Sequence, residues 1–183
     1  MAIDIIYETH STTLDNENGI ATGWLPGELS AEGREQARQL GARRRSTDIV
    51  VVFVSDLARA MDTAELAFGG TGTPIDRDAR LRECNYGTMN GMPVERVNAE
   101  RPFRIDVPFP GGQSYRQVVE NTRRFLQDLA PEWDGKTILI IAHSANKCAL
   151  DHLLLGRDLQ EAVSAPFDWK PGWNYTLPAH WEP

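Results

Sequence analysis

The sequence has few cysteines, no long apolar run and no excess of basic residues. Its two cysteines, Cys84 and Cys148, suit neither a disulfide framework nor a thiolate metal site, so we expect both thiols to be reduced. No apolar segment approaches the roughly 20 residues that cross a bilayer, and residues 1–4 do not resemble a signal peptide. A net charge of -7 argues against a nucleic-acid-binding surface. These absences predict a cytoplasmic protein without nucleic-acid or membrane partners.

Nothing along the chain marks a second folding unit, because it contains no repeats, low-complexity tracts or linkers. Its 183 residues, of which 41% are apolar, suffice for one core of ordinary size. We therefore expect one domain over residues 1–183. The sequence does not mark the oligomeric state, and a homodimer stays open.

Strand and helix patterns alternate along the chain and predict an α/β fold. Apolar, β-branched runs indicate buried strands, and amphipathic segments after polar N-caps indicate helices. The predicted strands are Ile3 to Thr9, Asp48 to Val54, Thr137 to Ala142 and an edge strand from Trp173 to Leu177. The predicted helices are Ser30 to about Arg45, Leu57 to Phe68 with Asp56 as N-cap, Ser114 to a stop at Pro131, and Ala145 to Leu155. Prolines break Leu81 to Gly112 into loops and short pieces.

Two histidines stand where predicted strands end. His10 follows the first strand, His143 follows the strand that ends at Ala142, and small polar residues come after each. In an open α/β sheet, functional groups gather where the carboxyl ends of strands meet helix N-termini. The two imidazoles are therefore expected at one site.

An arginine and a carboxylic acid complete a set that suits phosphoryl transfer. Arg59 falls in the first turn of a predicted helix, where free backbone amides favour anions, and Glu83 lies in the irregular segment. One neutral imidazole can attack phosphorus while the other donates to a phosphoryl oxygen. Arg59 can bind the charge of the equatorial oxygens, and Glu83 can protonate the leaving oxygen and later activate water.

From Ile3 to Leu155 the chain resembles the histidine phosphatase superfamily, in its phosphoglycerate-mutase-like branch. Several motifs in the right order carry the resemblance. They are Asn16 to Trp24, Leu29 to Gly33 with Gln36 and Ala37, Ser55 to Ala64, Leu81 to Gly87, Pro110 to Ser114, and Ala142 to Ser144. The resemblance implies a three-layer α/β/α sandwich with a mostly parallel central sheet.

The resemblance also implies roles for individual residues. His10 matches the phosphorylated nucleophile, Arg59 the second phosphate-binding arginine, Glu83 the acid and base, and His143 the second histidine. The predicted substrate-binding residues are Thr9, Ser11, Asn16, Thr22, Gly23 and Ser144. Trp24 is expected to border the substrate mouth. We expect neither a cofactor nor a metal, and a small phosphorylated metabolite as partner.

The chain departs from the family signature at the nucleophile. The signature is arginine, histidine, glycine, whereas the sequence here is Thr9-His10-Ser11, preceded by Glu8. The loss of one preorganised donor costs about 10²- to 10³-fold in rate. Three hypotheses reconcile the change with function. Lys147 or Arg82 replaces the missing charge, Glu8 receives a cationic group of the substrate, or the site no longer transfers phosphoryl groups.

Two alternative functions compete with a phosphatase. A metal site could be assembled from His10, Glu8, His143 and Glu83, although Arg59 would repel a cation there. A protein that only binds phosphorylated ligands has no need of the acid Glu83. A mutase is less favoured because the segment after Leu81 is short and Ile20 stands where the family's mutases carry an arginine. The prediction is a phosphatase that hydrolyses a small phosphomonoester through a phosphohistidine on His10.

Overall fold

A central five-stranded sheet organises the computed structural model, which describes residues 1–181. Its strands are β1 (Ala2–Thr9), β3 (Ile49–Val54), β4 (Ile75–Arg77), β6 (Thr137–Ala142) and β7 (Trp173–Pro178). They lie in the order β4-β3-β6-β1-β7, and all neighbouring pairs are parallel except β1 and β7. The short strands β2 (Ile20–Ala21) and β5 (Met92–Pro93) form a separate antiparallel pair. The mostly parallel sheet and the antiparallel edge strand agree with the predicted fold class.

Helices cover both faces of this sheet. The helices are α1 (Leu14–Glu17), α2 (Ala31–Arg44), α3 (Ala58–Phe68), α4 (Val94–Glu100), α5 (Tyr115–Glu132), α6 (Ser144–Leu155) and α7 (Leu159–Ser164). Three short 3₁₀ turns occupy Ala79–Leu81, Gly87–Met89 and Arg101–Phe103. None of the helices in residues 1–181 is long and apolar enough to span a bilayer.

Strand β6 shows why the apolar runs become buried strands. Alternate side chains point to opposite faces of a strand. Ile138 and Ile140 therefore join the core beneath α5, which includes Phe125, whereas Leu139 and Ile141 pack with Ala60 and Ala64 of α3. These four side chains are all fully buried. A strand covered on both faces needs a continuous apolar run, which is the pattern that the sequence contains.

The structure corrects two predicted helix boundaries. Helix α3 has Leu57, not Asp56, as its N-cap, because the Asp56 carboxylate instead receives two hydrogen bonds from the Arg82 guanidinium, at 2.6 and 2.7 Å. Helix α5 passes through Pro131 and ends at Glu132. The irregular segment also contains α4, and α7 follows α6, neither of which was predicted.

The sheet register brings the two predicted histidines together. Thr9 of β1 pairs with Ala142 of β6, and the His10 amide donates to the Ala142 carbonyl at 2.9 Å. On the other side of β6, the Ser55 amide donates to the Ile141 carbonyl at 3.2 Å. The carboxyl ends of β1, β6 and β3 therefore meet at one edge of the sheet, as the parallel arrangement requires.

Candidate active site

The His10 ring is fixed by its own chain neighbour. Nδ1 lies 2.8 Å from the Ser11 carbonyl oxygen, which can only accept, so Nδ1 carries the hydrogen and Nε2 keeps its lone pair. Burial, followed by the charge of Arg59, lowers the pKa of His10 from 6.5 to about 3. The imidazole is therefore neutral near pH 7, which is the form that can act as a nucleophile.

His143 lies behind His10 and is fully buried. The two ring centroids are 5.1 Å apart. His143 Nε2 is 2.8 Å from the Ser55 hydroxyl oxygen, whereas Nδ1 is buried without a partner among residues 1–181. Burial, with the charges of Arg59 and His10, holds the pKa of His143 well below 6.5. The described part of the interior next to the nucleophile therefore contains one ring nitrogen without a hydrogen-bond partner.

Arg59 brings a buried positive charge to the same place. It is the second residue of α3 and only 2% exposed, and it forms no ion pair with any carboxylate in the described part of the chain. Its Nη2 donates to the Gly23 carbonyl at 2.8 Å, and Nη1 donates to the Leu25 carbonyl at 3.4 Å. Burial lowers the pKa of the guanidinium, yet arginine stays protonated in proteins. The positive charge of Arg59 is therefore available to an anion that binds near His10.

Glu83 is held in place by hydrogen bonds to both carboxylate oxygens. Oε1 accepts from the Cys84 amide at 2.7 Å, and Oε2 accepts from the Ser144 hydroxyl at 3.2 Å. The Trp24 indole donates to the Glu83 carbonyl at 2.6 Å, with the Arg82 guanidinium 4.6 Å above its ring. Trp24 was predicted to border the mouth, but it lies outside the pocket lining and supports the Glu83 backbone instead.

His10, Arg59 and Glu83 line one pocket of about 860 Å³. Most of the predicted site residues contribute to its wall, namely Thr9, His10, Asn16, Thr22, Gly23, Arg59, Glu83 and Ser144. Two predicted residues lie behind the wall. They are His143 and Ser11, whose amide donates to the Thr63 hydroxyl at 3.0 Å.

The pocket lining includes a glycine at which a larger residue would be strained. Gly23 has a φ of +56°, and a Cβ on it would lie 1.8 Å from Oδ1 of Asn90. The neighbouring Thr22 hydroxyl donates to Asp15 at 2.7 Å. The oxygen of the Asn16 side chain accepts from the Thr13 amide at 3.0 Å, which leaves its NH₂ group for a ligand.

Glu8 does not face the pocket, which corrects the hypothesis that it receives a cationic group of the substrate. It points to the opposite face of β1 and is 2% exposed. Its carboxylate pairs with Arg43 at 3.1 Å and with Arg44 at 2.7 Å. Arg44 also donates to the Pro171 carbonyl at 3.3 Å. Glu8 therefore anchors the chain after α7, and it cannot join His10, His143 and Glu83 in the metal site considered above.

The two cations suggested as replacements for the missing arginine are also engaged elsewhere. Arg82 pairs with Asp56, and the Lys147 ammonium pairs with Asp151 at 2.7 Å. Neither residue lines the pocket.

Sequence reasoning missed the outer wall of the pocket. This part is lined by Val94, Asn98 and Arg101 around α4, and by the stretch from Val163 to Phe167 together with Trp169. Phe167 and Trp169 are large, exposed aromatic residues, at 45% and 55%. No local pattern marks these residues, because they reach the site only through the packing of α4 and α7.

The buried histidines predict how stability depends on pH. A folded-state pKa below the unfolded-state pKa means that the unfolded chain binds the proton more tightly. The free energy of unfolding should therefore fall as the pH drops from about 6.5 toward about 3. His10→Asn should lessen this fall by about 1–2 kcal/mol near pH 5. Urea unfolding across this pH range measures the effect. His180→Asn is the control, because His180 is exposed. The same dependence of the unfolding free energy on pH in wild type and in His10→Asn would contradict the prediction.

Comparison with known proteins identifies the family. The model of the histidine phosphatase superfamily (branch 1) matches residues 9–169. The chain belongs to this superfamily. The match spans every element from the end of β1 to the aromatic segment after α7. The resemblance noted in the sequence is thereby confirmed.

Relatives within the histidine phosphatase superfamily include both hydrolases and mutases. The chain is 27% identical to phosphoserine phosphatase 1 of Hydrogenobacter thermophilus over 167 residues, which cover 87% of this chain and 79% of the relative. It is 30% identical to a 2,3-bisphosphoglycerate-dependent phosphoglycerate mutase of Cytophaga hutchinsonii over 159 residues, covering 80% of this chain and 74% of that protein.

Solved structures of superfamily members share the fold. YhfR of Bacillus stearothermophilus superposes with a TM-score of 0.81 at 25% identity, over 93% of this chain and 88% of that one. A mycobacterial glucosyl-3-phosphoglycerate phosphatase superposes with a TM-score of 0.78 at 26% identity, over 90% and 84% of the two chains.

Proposed function

We propose that this protein is a phosphatase that hydrolyses a small phosphomonoester through a phosphohistidine on His10. One observation carries the proposal. The Ser11 carbonyl holds the Nδ1 hydrogen of His10, so the neutral ring presents the lone pair of Nε2 in a pocket that also contains Arg59 and Glu83. This is the arrangement of nucleophile, cation and acid that phosphoryl transfer requires.

The reaction begins with attack of His10 Nε2 on phosphorus. A P–N bond forms, the bond between phosphorus and the ester oxygen breaks, and the leaving oxygen takes a proton from Glu83. Arg59 and His143 stabilise the negative charge on the equatorial oxygens. The organic product leaves as an alcohol.

Water completes the cycle. Glu83, now a carboxylate, accepts a proton from the water that attacks the phosphohistidine. The P–N bond breaks, inorganic phosphate leaves, and His10 returns to its neutral form. The Ser144 hydroxyl and the Cys84 amide keep the Glu83 carboxylate aligned through both steps.

One feature of the pocket favours hydrolysis over a mutase reaction, because the relatives themselves include enzymes of both kinds. Ile20, which stands where the resemblance places an arginine of the mutases, lines the pocket with an apolar side chain. A mutase must retain its organic intermediate for the second phosphoryl transfer, and Ile20 supplies no charge for this purpose.

The proposal is tested by trapping the intermediate. The protein is mixed with a panel of phosphomonoesters, with and without a chelator, quenched in alkali and examined by mass spectrometry. We expect release of phosphate that resists the chelator, and one phosphoryl group on the peptide that contains His10. Absence of both phosphate release and the phosphopeptide across the panel would refute a phosphatase and favour a protein that binds phosphorylated ligands without turnover.

Thr9 offers a test of the missing arginine. Thr9 lines the pocket one residue before the nucleophile, and its carboxylate neighbour Glu8 faces away. Thr9→Arg should therefore add a cation beside the phosphate and raise kcat/KM on a simple aryl phosphate by about 10- to 100-fold. Thr9→Gln is the matched control, because glutamine adds length without charge. A fall in activity with Thr9→Arg would show that threonine belongs to the binding site for the substrate's organic group.

A further inference from the structure

A second arginine lies on the outer wall of the pocket. Arg101 follows α4 and begins the 3₁₀ turn Arg101–Phe103, which packs against α7. Asn98 and Val94 line the pocket beside it. Arg59 comes instead from the first turn of α3, near the ends of the sheet strands. The two arginines therefore belong to different parts of one cavity.

The charge of Arg101 has no counterion among residues 1–181. It forms no ion pair within 4 Å, and the neighbouring Glu100 is taken by Arg104 at 2.6 Å. Its Nε is buried without a hydrogen-bond partner. The remaining polar contact is a hydrogen bond from Nη1 to the Asn98 side-chain oxygen, at 3.4 Å.

The guanidinium is nonetheless held in a defined position. Its central carbon lies 5.7 Å from the centre of the Tyr115 ring, a buried aromatic at the start of α5. An unpaired, partly buried charge costs folding free energy unless an opposite charge reaches it. A planar guanidinium with free donors fits a carboxylate or a phosphate through two parallel hydrogen bonds.

We propose that Arg101 binds a second anionic group on the organic part of the substrate. The inference rests on the proposed function, because it assigns the phosphoryl group to His10 and Arg59. Glu83 is the one acidic residue on the described wall, and it is assigned to the leaving oxygen. The outer wall therefore presents a positive charge, and Phe167 and Trp169 line the same wall. Arg101 selects phosphomonoesters that carry a carboxylate or a further phosphate at the far end.

Three aryl phosphates test this selection. Phenyl phosphate, 4-carboxyphenyl phosphate and its neutral analogue 4-carbamoylphenyl phosphate share one leaving group type and differ at the far end. In wild type, kcat/KM should be highest for the carboxylate. Arg101→Met should lower the ratio of kcat/KM for the carboxylate to that for the carbamoyl compound by about 10- to 100-fold, which is the loss expected for hydrogen bonds to a charged group. Arg101→Lys should restore part of the ratio.

Arg96→Met is the matched control, because Arg96 lies exposed on α4, outside the pocket lining. In Arg96→Met, the ratio of kcat/KM for the carboxylate to that for the carbamoyl compound should equal the wild-type ratio. An equal loss on all three substrates in Arg101→Met would place Arg101 at the phosphoryl group and overturn the proposal. An unchanged ratio would also overturn it. Thermal unfolding checks that methionine preserves the packing on Tyr115.

Binding separates this inference from the proposed function. Calorimetry compares phenylphosphonate with 4-carboxyphenylphosphonate, neither of which can be hydrolysed. We expect wild type to bind the carboxylated compound at least about 10-fold more tightly, and Arg101→Met to lose this preference. A preference that depends on Arg101 in a protein without turnover would refute the phosphatase and uphold the anion site. Turnover without such a preference, or no binding of either phosphonate, would refute the anion site.

Discussion

Replacing His10 with alanine should lower kcat by at least about 10⁴-fold, because loss of a covalent nucleophile removes the reaction path and leaves only binding and electrostatic stabilisation. The Arg59 and Glu83 side chains do not depend on the His10 ring for their hydrogen bonds, which run to Gly23, Leu25, Cys84 and Ser144. The rest of the site should therefore stay in place. Phosphate release from an aryl phosphate, followed under saturating substrate, measures the change.

The control for this experiment is His180→Ala, which removes an exposed imidazole far along the chain from the site. It should keep the wild-type rate. Added imidazole should restore part of the activity in His10→Ala, because the small base can occupy the vacated space and attack phosphorus. Turnover within tenfold of wild type in His10→Ala would remove His10 from the mechanism.

Replacing Glu83 with glutamine should produce the second large effect. Glutamine keeps an oxygen that can accept from the Cys84 amide and an NH₂ group that can donate to the Ser144 hydroxyl, so the loop should hold its position. It can neither protonate the leaving oxygen nor accept a proton from water. We expect kcat to fall by about 10²- to 10⁴-fold on an alkyl phosphate, which has a poor leaving group.

The leaving group separates the two roles of Glu83. A 4-nitrophenyl ester needs no proton on its leaving oxygen, so its first step should proceed in Glu83→Gln while hydrolysis of the phosphohistidine slows. Stopped-flow mixing should show a burst of 4-nitrophenolate, and the phosphoenzyme should accumulate. Ser144→Ala is the comparison variant, since it removes one hydrogen bond to Glu83 and keeps the carboxyl group. An equal fall in the rate of enzyme phosphorylation for alkyl and nitrophenyl esters in Glu83→Gln would contradict an acid role.

Three catalytic residues were predictable because each follows a strand or begins a helix that the local sequence pattern indicates. His10 and His143 follow apolar runs, and parallel strands end at one edge of a sheet, so their proximity follows from the fold class. Arg59 falls in the first turn of α3 as predicted, although Leu57 rather than Asp56 caps the helix. The resemblance to the histidine phosphatase superfamily then implied the roles of His10, Arg59, Glu83 and His143.

The roles of several charged residues could not be predicted, because they depend on which face a side chain occupies. Glu8 directly precedes Thr9, but consecutive residues of a strand point to opposite faces of the sheet. The Glu8 carboxylate therefore forms ion pairs with Arg43 and Arg44 of α2 instead of facing the pocket. Asp56 forms an ion pair with Arg82 and does not cap α3. Such ion pairs join residues far apart in sequence, and no local spacing signals them.

The sequence by itself determined the α/β class, the buried strands, the pair of histidines and the phosphoryl-transfer chemistry they suggest, because each depends on local periodicity or on a short motif. Only the tertiary structure decided the environment of those groups and the shape of the cavity around them. The neutral state of His10 arises from burial and from Arg59. The outer wall with Arg101 arises from the packing of the 3₁₀ turn Arg101–Phe103 against α4 and α7. Burial and packing depend on contacts between residues that are far apart in the sequence, so no local sequence pattern predicts them.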